Sequence, residues 1–222
     1  MKRWQPFWLA LAVASLLSLS VIWWESRPKP EPVKFGTPSE WHTYESDAAE
    51  FTIKYPAIYA AAAGETSEYP MDCTLLKSDD PLSNIPVVAT ILLDRSTYKE
   101  TNLAGAWLSV AVANNSNESD CLTQVNGPDR LTLNVSKAYN DITWSESDLG
   151  WTESQAMGAT FSSRVFHTLH NDTCYEVTLR VAESSPDDAN AGHLKAIDTE
   201  SIKAQLLSIF YTFQFIQPLE VE

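Results

Sequence analysis

The sequence predicts an α+β fold: an antiparallel β-sheet flanked by a few helices, preceded by one transmembrane helix. Three observations carry this. Residues 4–24 contain no charged side chain. After a proline-rich stretch, short segments alternate apolar and polar residues with the period of two that strands require. Near the C-terminus, one segment keeps the helical period instead.

The N-terminal run follows Met1-Lys2-Arg3. A helix over residues 4–24 spans about 30 Å, the thickness of a hydrocarbon core. Trp4 and Trp8 lie near one end, Trp23 and Trp24 near the other. Indoles favour the two bilayer interfaces, so these four residues mark both edges of a span. Lys2 and Arg3 hold the N-terminus in the cytoplasm. The expected placement is a single pass through the cytoplasmic membrane, with the C-terminal domain on the extracytoplasmic, periplasmic side. Residues 1–24 therefore read as a signal anchor. A cleaved signal peptide is the competing reading. Ser18-Leu19-Ser20 offers small residues for cleavage, but Val21-Ile22-Trp23-Trp24 carries the apolar run past them. A cysteine near residue 20 is absent, which excludes lipid modification there.

Residues 25–40, ESRPKPEPVKFGTPSE, carry Pro28, Pro30, Pro32 and Pro38. Proline at alternate positions blocks helix and favours extended polyproline II, a stiff spacer. The globular domain is expected over residues 41–217, with a short tail at 218–222.

Within the domain, Phe51-Thr52-Ile53-Lys54-Tyr55 alternates and stops at Pro56. Residues 57–64 read as a short helix. The apolar run 85–93 reads as a strand buried on both faces. Residues 107–112 place Leu108, Val110 and Val112 on one face. Leu131, Leu133 and Val135 alternate with Arg130, Thr132 and Asn134, a half-buried strand. Residues 159–169 and 174–181 form a hairpin about His170-Asn171-Asp172-Thr173, because Asn and Asp tolerate the left-handed turn geometry. Ile202, Leu206, Ile209 and Phe210 form a helical stripe, which Asp198 or Thr199 can cap. Tyr211, Phe213 and Phe215 then alternate as a terminal strand. Residues 184–192 are a polar loop.

Charge limits the partners. The chain has 15 Lys+Arg and 29 Asp+Glu; Lys2, Arg3, Arg27 and Glu25 precede residue 28, leaving 12 basic against 28 acidic residues, a charge of −16. Such a domain repels phosphate backbones and anionic lipid head groups, so nucleic acid is excluded as a partner. A protein partner with a basic surface fits instead.

Catalytic constellations do not emerge. His167 and His170 have an HxxH spacing, but residues three apart on a strand point to opposite faces, so a zinc site needs a bulge between them. A G-x-S-x-G elbow is absent, and with 7 Gly in the chain no phosphate-cradling loop appears. Asp79-Asp80 and Asp187-Asp188 read as solvated acidic loops; with Asn190 the second pair offers calcium only an incomplete ligand set. No cofactor is expected.

Three stretches resemble a group of bacterial envelope proteins of unknown function that carry a PsbP-like domain. They are Trp41-His42-Thr43-Tyr44 with Phe51-Thr52-Ile53-Lys54-Tyr55-Pro56; Thr101-Asn102-Leu103-Ala104-Gly105-Ala106 leading to Cys121-Leu122; and Cys174-Tyr175-Glu176-Val177-Thr178-Leu179 with the closing Ile209-Phe210-Tyr211-Thr212-Phe213-Gln214-Phe215. The resemblance spans residues 41–215 and rests on core-forming residues. It implies a PsbP-like α/β sandwich and an accessory or scaffold role, and it carries over no catalytic residue. This chain departs from the group in using a peptide anchor where many relatives carry a lipid-modified cysteine.

The three cysteines face an oxidising compartment if the domain is exported. Three single pairings are possible, and sequence alone does not choose among them. Cys121 and Cys174 lie in the family-like stretches and Cys73 does not, so the resemblance favours a Cys121–Cys174 bridge with Cys73 left as a thiol. Three buried thiols are the alternative. The expected function is a membrane-tethered extracytoplasmic accessory or binding domain. A small-molecule-binding or hydrolytic envelope enzyme is the rival, and a subunit of an envelope or photosynthetic complex is a third reading, by analogy alone.

Overall fold

The computed structural model describes residues 40–64, 86–114, 116–118, 121, 133–147, 149–156, 159–184 and 194–216. All of them belong to one compact unit within Pro32–Glu222. The anchor (1–24), all but the last residue of the linker (25–40) and the tail (218–222) lie outside the described residues, as do Cys73, the aspartate pairs 79–80 and 187–188, and residues 131–132. No helix among the described residues is long and apolar enough to cross a membrane.

Eleven strands are present among the described residues: β1 (Trp41–Ser46), β2 (Phe51–Pro56), β3 (Tyr59–Ala63), β4 (Val87–Leu93), β5 (Leu103–Asn114), β6 (Leu133–Tyr139), β7 (Ile142–Ser147), β8 (Thr152–Ala156), β9 (Ala159–His170), β10 (Thr173–Ser184) and β11 (Gln214–Phe215). One α-helix, α1 (Thr199–Phe210), joins them. The large sheet has the order β3-β4-β5-β10-β9-β7-β6, with β8 pairing β9 beside β7. A small sheet has the order β1-β2-β11. Every strand pairing is antiparallel.

The long β9–β10 hairpin is the centre of the large sheet. Asn171 (φ 49) and Asp172 (φ 57) occupy the left-handed region, the pattern a two-residue turn needs to match strand twist. Alternation then sorts the side chains. Phe166, Tyr175, Val177, Leu179 and Val181 face the main core with Leu108 and Val110 of β5. Asp198 caps α1, its side chain accepting from the Ser201 amide. The helix buries Ile202, Leu206, Ile209 and Phe210 against this face. Phe210 stacks on Phe166 with centroids 3.9 Å apart, and Trp144 meets both Phe210 and Phe213 edge-on. The small sheet joins through Phe51, which stacks on Phe213 at 5.1 Å. The Tyr175 hydroxyl donates to the Ala49 carbonyl at 3.0 Å, tying large sheet to small.

Two expectations are corrected. Residues 57–64 are not a helix: Ala57 and Ile58 turn, and β3 pairs with β4 with Ala61 opposite Ile91. Four consecutive alanines favour helix locally, but burying Tyr59, whose hydroxyl donates to Gln205 at 3.3 Å, favours the strand. The terminal strand is shorter than the alternation predicts. Tyr211 closes α1 in helical geometry, and Thr212 donates back to the Ile209 carbonyl, so only Gln214 and Phe215 pair with β2. Besides α1, Glu118 and Cys121 are helical among the described residues.

Candidate functional site

Two hairpin turns of identical sequence close the same end of the large sheet. Asn140-Asp141 joins β6 to β7, with φ of 49 and 63; Asn171-Asp172 joins β9 to β10. Since β7 pairs with β9, the turns stand side by side. The chain emerging from α1 passes them as β11. The three segments enclose an open cleft of about 890 Å³, within the range of small-ligand sites. Its polar lining includes Asn140, Asp141, Thr143, Asn171 and Gln214, and its apolar floor includes Ile142, Leu169 and Ile216. His170 lies flat on Phe215, centroids 3.9 Å apart and planes 9° from parallel. Asn140 donates through Nδ2 to the Tyr211 carbonyl, and Asn171 Nδ2 lies 3.1 Å from His170 Nε2. Tyr211, 40% exposed, sets its ring 5.1 Å from that of Tyr139.

A second cluster occupies the outer face of the large sheet. Ser145, His167, Glu176 and Ala111 form a row across four neighbouring strands, all buried. Cys121 is bonded to Cys174 over this face, with Cα atoms 5.4 Å apart. The Cys121 carbonyl lies 2.6 Å from His167 Nδ1, and His167 Nε2 lies 2.9 Å from Glu176 Oε2. A carbonyl only accepts, so Nδ1 carries a proton and Nε2 shares one with the carboxyl. Thr178 donates to the other Glu176 oxygen at 3.3 Å. Both imidazole nitrogens are therefore engaged, and neither has a lone pair to offer the Ser145 hydroxyl. The Ser–His–Glu row is a buried fastening for the Cys121 segment, not a nucleophile with its base.

The third cluster centres on Glu146, fully buried on the helix side of β7. Arg164 donates to its Oε2 through Nε at 3.1 Å and through Nη2. Lys137 and the Tyr139 hydroxyl reach Oε1. Burial pushes this carboxyl up, but the bonds to Lys137 and Arg164 outweigh it and leave the carboxyl below its usual range. Lys137 is held above its usual value chiefly by its bond to Glu146. The buried Glu146 carboxylate is neutralised by Arg164 and Lys137, which suits a structural role.

The structure joins Cys121 and Cys174, the pair that the resemblance favours. His167 and His170 turn to opposite faces: one is enclosed with Glu176, the other stacks in the cleft. No group of three or more His, Cys, Asp or Glu converges to hold a metal among the described residues. Trp4, Trp8, Trp23 and Trp24 lie outside the described residues. Sequence reasoning passed over Glu176, Glu146 and the cleft. Glu176 carries a usable signal: counting outward from the Asn171-Asp172 turn places it directly opposite His167. The cleft has none, because its three walls are remote in sequence.

No family model matches the chain, and no curated protein does. Solved structures do. A crystal structure of a protein from Bacteroides thetaiotaomicron VPI-5482 is similar with 14% identity and a TM-score of 0.41, over 81% of this chain and 50% of that one. The chain thus spans half the length of that protein. The solution structure of cyanobacterial PsbP (CyanoP) from Synechocystis sp. PCC 6803 is similar with 8% identity and a TM-score of 0.38, over 81% of this chain and 94% of that one. The second is a PsbP, the family that the sequence motifs resemble. Nothing about activity or partners follows from likeness at this level.

Proposed function

We propose that the chain is a membrane-tethered, extracytoplasmic accessory domain that binds through the cleft at the hairpin end of its large sheet. The cleft is the observation that carries the reading, being an open, partly polar concavity on a rigid frame. The Cys121–Cys174 bond supports the location, since disulfides persist in oxidising compartments. The uncharged residues 4–24 and the proline-rich spacer behind Glu40 support the tether. The buried ionisable clusters around His167 and Glu146 satisfy one another, which favours binding over catalysis.

Carbonate-washed membranes test the tether: the full-length chain should stay in the pellet. Crosslinking in intact cells tests the binding: a discrete adduct should form through a photoreactive residue at Gln214. A soluble mature form beginning near Val21 overturns the tether, and a uniform absence of adducts overturns the binding role.

A further inference from the structure

We propose that β1 is an interaction edge whose occupant is β1 of a second copy of this chain, paired antiparallel about Thr43. The proposal goes beyond the cleft reading and does not depend on it.

The hydrogen-bond phase of β1 fixes which backbone groups face outward. The Ala57 amide donates to the Glu40 carbonyl at 3.1 Å, so Glu40 and Ala57 form a bonded pair. Bonded pairs alternate along an antiparallel ladder, so His42, Tyr44 and Ser46 direct their backbone groups at Tyr55, Ile53 and Phe51 of β2. Trp41, Thr43 and Glu45 aim theirs the other way. The phase of β2 agrees: Lys54 lies opposite Thr43, and its amide donates to Thr212 Oγ1 at 2.7 Å, on the side away from β1. β1 ends its sheet, and Trp41, His42, Thr43 and Glu45 are all exposed. Its edge therefore offers three amides and three carbonyls that no strand takes up among the described residues. Open edges are commonly blunted by lysine, proline or a bulge. The β6 edge carries Lys137 and a register shift between Leu133 and Val135. β1, WHTYES, has no lysine, arginine or proline, and its register runs unshifted from Trp41 to Ser46.

A second copy complements this edge. With Thr43 facing Thr43 across a two-fold axis, Trp41 lies opposite Glu45, His42 opposite Tyr44, and Glu40 opposite Ser46. No like charges meet, threonine pairs well with threonine, and His42 facing Tyr44 extends the ring contact that His42 already makes with Tyr55 at 5.7 Å. Each copy directs the same three amides and three carbonyls at the other, as an isologous interface requires. A basic partner strand fits less well, because β1 carries one carboxylate, Glu45, to select it. The two domains still repel through their excess of acidic residues, so salt strengthens the pairing; it would weaken a complex with a basic strand.

The test expresses the full chain in intact cells with Cys73→Ser, which leaves no native thiol free because Cys121 and Cys174 are bonded to each other. Thr43→Cys should then oxidise to a disulfide-linked dimer, since the Cα atoms of a bonded pair lie about 5.5 Å apart. Lys54→Cys is equally exposed but lies three strand spacings, about 14 Å, from its symmetry mate, and should not. In the purified full chain, Thr43→Pro removes an outward amide and no β1–β2 bond. It should weaken the self-association seen by sedimentation about thirtyfold, for two hydrogen bonds lost per dimer, with unchanged near-ultraviolet circular dichroism. Thr43→Asp, which sets two carboxylates face to face, should act in the same direction. Added salt should strengthen the wild-type association. Dimers formed in equal yield by Thr43→Cys and Lys54→Cys mean random collision and overturn the proposal. The absence of a crosslink at residue 43, a crosslink there only to a different protein, or association untouched by Thr43→Pro and Thr43→Asp overturns it equally.

Discussion

Removing the Cys121–Cys174 bridge separates what the covalent bond contributes from what the fold contributes. The cysteines are 53 residues apart. In the chain-entropy model, releasing a loop of that length returns about 14 cal/mol/K to the unfolded chain, or about 4 kcal/mol at 25 °C. For a domain of this size, each kcal/mol moves the midpoint by about 2–4 °C, so the loss amounts to about 8–16 °C. The folded state should change little. His167 still reaches the Cys121 carbonyl, a bond that does not involve sulfur, and the Ser116 amide still donates to the Asp172 carbonyl at 2.9 Å. The cost therefore falls on the unfolded ensemble. The assay is urea unfolding of a Cys121→Ala/Cys174→Ala variant against the oxidised wild type, followed by near-ultraviolet circular dichroism. The variant should show a lower midpoint and a steeper dependence on urea, because its unfolded chain exposes more surface. Both cysteines are 2% exposed, so reductant should open the wild-type bridge only under denaturing conditions. A loss below about 1 kcal/mol, against the several expected from loop entropy, would refute the reasoning, as would native reduction within minutes.

Three further outcomes follow from the packing. Glu146→Gln should cost about 3 kcal/mol, the low end for a broken buried pair because Lys137 keeps its access to water. Because the folded carboxyl lies below its usual range, the stability it supplies is present above the unfolded value and lost as pH falls through the folded one. Acid titration of unfolding below about pH 4.3, the unperturbed value, should show a slope in wild type that is reduced in the variant. Phe210→Ala removes a ring 1% exposed and stacked on Phe166, and chemical denaturation should register a loss of about 3–5 kcal/mol. At Asn171, with φ of 49, thermal melts should show a loss of about 1–2 kcal/mol for Asn171→Val and little change for Asn171→Gly.

Local chemistry was enough for much of this architecture. Period-two alternation over residues 51–55, and the runs 159–169 and 174–181 on either side of a turn, depend only on neighbours in the chain, and β2, β9 and β10 lie there. The Asn171-Asp172 turn and the Asp198 cap are likewise decided within a few residues, by backbone sterics and one hydrogen bond. The spacing of Ile202, Leu206, Ile209 and Phe210 specified the helix and its buried face.

Long-range pairing decided the rest. The alanines of β3 are strand because β4 lies beside them, a partner about 30 residues away that overrides their local preference. β7 reads as polar in sequence, ITWSES, yet Trp144, Ser145, Glu146 and Ser147 are all buried. Glu146 can be buried there only because Arg164 and Lys137 arrive from two other strands to neutralise it. The cleft belongs to the same class. Its walls come from residues 140–143, 168–171 and 214–216. Alternation says which face a side chain takes but not which strand becomes its neighbour, so the strand order of the folded sheet alone could bring those walls together.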